Sequence, residues 1–109
     1  MALYYDVTKV RLLQSKPEVL QQLVAELSVY IDDIKTQVKE KDFKKVDKTI
    51  SGIIFATDEL GIEMAYEEAV LIQSWSHSLG KKKEILTTLK QMCKVCKNAL
   101  KEIRKDFSL

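Results

Sequence analysis

Leu20, Val24, Leu27, Ile31, Ile34 and Val38 recur at alternating spacings of four and three residues, with no glycine or proline among them. A helix gathers such positions onto one stripe, whereas a strand, with its period of two, scatters them over both faces. The stripe predicts a long helix covered by other helices, as in an antiparallel bundle. Composition agrees: three Gly and one Pro in 109 residues, with 46% apolar and 31% charged side chains, exclude collagen, a loop-rich scaffold and most disordered chains. A domain of this length buries roughly two-thirds of the surface its unfolded chain exposes, so it can fold without disulfides or metal. Residues 1–109 read as one domain, all-helical.

The rest of the chain supplies the partners. Tyr5 to Gln14 predicts a short helix with Asp6 as N-cap and Val7, Val10 and either Leu13 or Leu12 on its apolar side. Ser15-Lys16-Pro17-Glu18 combines a capping-box pattern with a proline in the first turn, which starts the second helix. Asp42 caps a third, with Phe43, Val46, Ile50, Ile53 and Thr57 inward and a stop at Leu60-Gly61. A fourth spans Ile62 to about Ser78, with Ile62, Ala65, Ala69 and Ile72 inside and Met64, Leu71 and Trp75 widening that face. After Ser78-Leu79-Gly80, a fifth runs from about Lys83 to Lys105 on Ile85, Leu89, Met92, Cys96, Ala99 and Ile103, broadened by Leu86, Cys93 and Leu100. Short connections make neighbouring long helices antiparallel, which gives an up-down four-helix bundle with a short N-terminal helix.

A net charge of +2 from 18 basic and 16 acidic residues lacks the basic excess of a dedicated nucleic-acid binder. No apolar run approaches the roughly 20 residues of a membrane span, and nothing in the first residues reads as a secretion signal, so a cytoplasmic location without membrane contact is expected. Cys93-Lys-Val-Cys96 has the spacing of a redox or metal pair, but it falls inside a helical stripe. Reactive pairs sit at helix N-termini, and a zinc site needs ligands that one histidine cannot complete. Both cysteines are therefore read as core, with no metal or cofactor. The single histidine, His77, is read as a solvent-facing residue near a helix C-terminus rather than a reactive group.

The stretch from Lys41 to Ile62, Lys-Asp-Phe-Lys-Lys-Val-Asp-Lys-Thr-Ile-Ser-Gly-Ile-Ile-Phe-Ala-Thr-Asp-Glu-Leu-Gly-Ile, resembles the central segment of histidine-containing phosphotransfer domains. In that family an Asp-aromatic pair opens the helix, an Ala-His pair follows, and a Leu-Gly pair closes it. Without a gap, Asp42-Phe43 matches the opening pair, Ile50 the Ala, Ser51 the phosphorylated His, and Leu60-Gly61 the closing pair. Three residues after the His the family usually carries Lys and then a small residue, where this chain has Ile54 and Phe55. Setting Gly52 on that small position and Lys48 on the His would insert about one turn before Gly61, so the ungapped register is kept. More weakly, the likeness reaches Tyr5-Asp6-Val7 and the two closing helices. It implies a degenerate member of the family in two-component phosphorelay signalling.

The loss of the histidine decides the expected chemistry. A relay carrier needs a nucleophilic nitrogen that is neutral near pH 7, which imidazole supplies with a pKa of about 6.5. A serine hydroxyl needs an adjacent base, and a phosphoserine is too stable an ester to pass its phosphoryl group on. The expectation is a protein that is not an enzyme and that docks a response-regulator receiver domain or a histidine kinase without carrying phosphate. The family's docking face falls here on Lys44, Lys48, Ser51, Gly52 and Phe55. Helical spacing puts Phe55 on this side, either exposed as a docking anchor or packed against the N-terminal helix. A general helical adaptor or self-associating bundle is the other reading, and the pattern sets no oligomeric state.

One further feature is a basic stripe, Lys90, Lys94, Lys97, Lys101 and Arg104, opposite the apolar face of the last helix. It can attract an acidic partner, but no accompanying side chains suit base reading, which argues against sequence-specific nucleic-acid recognition. Its simplest use is interhelical pairing with Glu63, Glu67 and Glu68.

Overall fold

A computed structural model describes residues 3–76 and 82–109. Among them the secondary structure is helical throughout: α1 Val7–Leu13, α2 Pro17–Lys39, α3 Phe43–Leu60, α4 Glu63–Ser76 and α5 Lys82–Asp106. The four long helices pack in a cycle, α2 on α3, α3 on α4, α4 on α5 and α5 back on α2, while α1 lies against α2 and α3. One core cluster draws on every helix. All six stripe positions of α2 are buried, as is Leu23 beside them. Each fully buried Leu or Ile contributes roughly 1.5–3 kcal/mol, so this seam dominates the stability of α2.

The ends follow local chemistry. Asp6 caps α1 by accepting from the Thr8 and Lys9 amides, and Asp42 caps α3 by accepting from Lys45 N. Pro17 takes the first position of α2, where its missing N–H costs nothing. The capping box expected at Ser15 does not form. The Ser15 hydroxyl instead donates to Leu12 O at 2.9 Å, satisfying a carbonyl at the end of α1, and Lys16 starts α2 without a side-chain cap. Gly61 ends α3 in the left-handed region at φ 69°, and its Hα side lies against Asp6, where a Cβ would come within 3.0 Å of the Asp6 amide nitrogen.

Some expected core positions are corrected. Phe43 is 38% exposed, because it is the first residue of α3 and projects beyond the packed part of its neighbours. Met64 and Leu71 do not widen the inner face of α4 but lie outside, 59% and 46% exposed. Leu13 rather than Leu12 turns inward from α1. The Ser78-Leu79-Gly80 break and His77 lie outside the described residues.

The segment before α1 is tied to the last turns of α5. The Leu3 and Tyr4 amides donate to the two Glu102 carboxylate oxygens, at 3.2 and 2.9 Å. The Tyr5 hydroxyl donates to Asp106 Oδ2 at 2.7 Å while its ring packs edge-on against Phe107. Burial, followed by the Asp106 carboxylate, pushes the Tyr5 phenol well above its usual range.

Candidate functional site

Lys44, Lys48, Ser51, Gly52 and Phe55 follow one another at three- and four-residue spacings, interrupted only by the adjacent pair Ser51-Gly52, so they form one outward strip of α3. Lys44, Lys48, Ser51 and Phe55 are exposed. Phe55, at 61%, keeps most of its ring in water rather than packing into the core beside α1. The residue before it, Ile54, is partly buried against the core.

Ser51 joins two helices. Its hydroxyl donates to Asp47 O at 3.0 Å, one turn back on α3, and accepts from Gln73 Nε2 of α4, also at 3.0 Å. The hydroxyl proton is thus directed at a main-chain carbonyl, which is not a base that can remove it. What the arrangement supplies is a polar clip across the α3–α4 seam, with Gln73 as a member that α3 alone could not reveal.

Gly52 faces the other neighbour. A Cβ there would sit 2.7 Å from Cε2 and 2.8 Å from Cζ of Tyr30, on α2. Carbon atoms in contact settle at about 3.5–4.0 Å, so the ring occupies the place of a side chain. Gly52 is accordingly a notch filled by the protein's own Tyr30, and the ring forms the α2 border of the strip.

The cysteines and the α4 glutamates lie elsewhere. Cys93 and Cys96 are free thiols, 2% and 0% exposed, and burial pushes both above the usual thiol range. Cys93 Sγ approaches Ile31 O at 3.8 Å. Glu68 is close enough for its charge to oppose ionisation of both. Glu68 Oε1 is enclosed with no hydrogen-bond partner among the described residues, and burial raises its carboxyl above the ordinary value. Among the described residues no three His, Cys, Asp or Glu side chains come together as a metal-binding group, and no helix is long and apolar enough to cross a membrane.

Interhelical pairing of the α5 lysines with Glu63, Glu67 and Glu68 is absent among the described residues. Lys90, Lys94 and Lys97 border the α2 seam of α5 instead. Comparison with protein-family models, curated proteins and solved structures found no match to the chain.

Proposed function

We propose that this chain is an antiparallel up-down four-helix bundle with a short N-terminal helix, similar to a histidine phosphotransfer domain, and that it docks a receiver domain or a histidine kinase of a two-component system without carrying phosphate. The observation that carries the reading is Phe55. An aromatic ring 61% exposed in the middle of a long helix, one turn from Ser51 and on the strip of Lys44 and Lys48, is the kind of anchor that dominates interface energetics. The serine supports the second half, since its proton is engaged by the Asp47 carbonyl rather than by a base. Such a protein competes with active carriers for their docking partner.

The test measures binding of the purified chain to receiver domains and kinase dimerisation domains encoded in the same genome. At least one is expected to bind, and Phe55→Asp to weaken it about thirtyfold, the effect of losing a central aromatic anchor at roughly 2 kcal/mol. Incubation with a phosphorylated receiver is expected to leave no acid-labile phosphate on the chain. Absence of any complex, or a complex indifferent to Phe55→Asp, refutes docking through α3; label that disappears on changing Ser51 or His77 refutes the inert carrier.

A second reading, a self-associating helical adaptor with no phosphorelay role, is favoured by the number of exposed apolar side chains on these helices, Met64, Val70 and Leu71 on α4 and Phe55 on α3. A sedimentation dimer that disappears in Phe55→Asp, with no receiver binding, selects it.

A further inference from the structure

The seam between α2 and α5 shares no helix with the α3–α4 seam that holds Ser51 and Gln73. Two open cavities of about 280 and 290 Å3 lie along it, and Lys35 and Lys90 border both, so they form one continuous groove. Its walls are Lys35 and Lys39 from α2 and Lys90, Lys94 and Lys97 from α5. None of these five ammonium groups is ion-paired to a carboxylate among the described residues. Asp32, one turn before Lys35 on α2, offsets only part of that charge. With five lysines set against Asp32 and none of them ion-paired among the described residues, such a groove repels itself and gains from a polyanion laid along it.

The floor distinguishes between polyanions. Leu86, 38% exposed, and Leu89 lie at the α2 end that carries Lys39. A nucleic-acid strand would present phosphates to the lysines but needs aromatic platforms for its bases, and no aromatic side chain lines the groove. A polypeptide with carboxylates on either side of an apolar residue matches both walls and floor, with lysine stems covering apolar surface beneath their charged ends. From this complementarity we propose that the α2–α5 groove docks an acidic segment of a partner protein, anchored by an apolar side chain beside Leu86.

The probe is a fluorescent helical peptide of glutamates with leucine at every fourth position, titrated by anisotropy into the intact chain. Controls are polyglutamate and oligothymidine of equal length. The leucine peptide is expected to bind about tenfold tighter than polyglutamate. Its affinity should fall at least tenfold between about 0.1 M and 1 M salt, as the screening length shrinks from ~10 to ~3 Å. Lys35→Glu with Lys90→Glu, and separately the more exposed pair Lys94→Glu with Lys97→Glu, should each weaken it about tenfold or more with helical content unchanged by circular dichroism. Phe55→Asp should bind the peptide as the parent does. No peptide binding, or binding that survives both charge-reversed pairs, overturns the proposal. So does tighter binding of oligothymidine, which assigns the groove to nucleic acid, and so does salt-sensitive self-association lost in the same variants, which assigns it to a second copy.

Discussion

Gly52→Ala tests whether the α3 strip is shaped by the protein's own Tyr30. Two effects oppose each other. In a helix interior alanine is favoured over glycine by about 0.8–1 kcal/mol. Against this, the new methyl carbon would lie 2.7 and 2.8 Å from two ring carbons of Tyr30, so the ring must retreat by roughly 1 Å to regain ordinary contact. Tyr30 is half-buried against the core, and forcing such a side chain aside costs about 1–3 kcal/mol. The net expectation is a loss of about 1 kcal/mol, or about 4–8 °C in Tm for a chain of this size. In a Tyr30→Ala background the obstruction is gone and only the helical preference remains, so the same substitution should stabilise by about 1 kcal/mol. Urea titrations of the four proteins, followed by helical circular dichroism, give the coupling directly, expected at about 1–3 kcal/mol. Equal gains from Gly52→Ala in both backgrounds would mean that the ring does not occupy the notch.

Two other perturbations follow from the core and its edges. Gly61→Ala places a side chain on a left-handed residue, at about 1–2 kcal/mol, and drives it into Asp6, the cap of α1; a total loss of about 2–4 kcal/mol should lower Tm by about 10 °C or more in a thermal melt. Glu68→Gln should raise Tm at pH 7 and leave it unchanged at pH 3.5. The raised folded pKa means that Glu68 supports folding below its ordinary value of about 4.5 and loses that support as pH rises through the folded value, whereas glutamine cannot ionise. Because the side chain is only half-buried, screening keeps the gain small, and an equal gain at both pH values would rule out ionisation as the cause.

The helices were legible where burial is one-sided and periodic. On α2 every stripe residue from Leu20 to Val38 is in the core, and Asp42 and Gly61 close α3 as capping chemistry requires. The stripe misled at its margins. Phe43 continues the periodicity one turn past the packed region, while Thr49 and Ala56 are buried because α3 has neighbours on two sides and its covered arc is wider than its apolar one. On α4, apolar residues point both ways, so Met64 and Leu71 carried no signal of direction. The strip of Lys44, Lys48, Ser51 and Phe55 could be placed from helical spacing alone. Its borders could not, since Tyr30 and Gln73 come from separate helices and no local pattern links them to Gly52 and Ser51. The α2–α5 groove was half visible: the α5 lysines form a regular series, but which neighbour they face depends on how the helices are arranged around the core.

The bonds from Leu3, Tyr4 and Tyr5 to Glu102 and Asp106 span sequence separations of 98 to 101 residues. They act as a clasp between the first and last turns. Tension applied through the two ends loads these hydrogen bonds together with the Tyr5 ring buried against Phe107. Once the clasp opens, α1 and the end of α5 lose their mutual anchorage at the same moment.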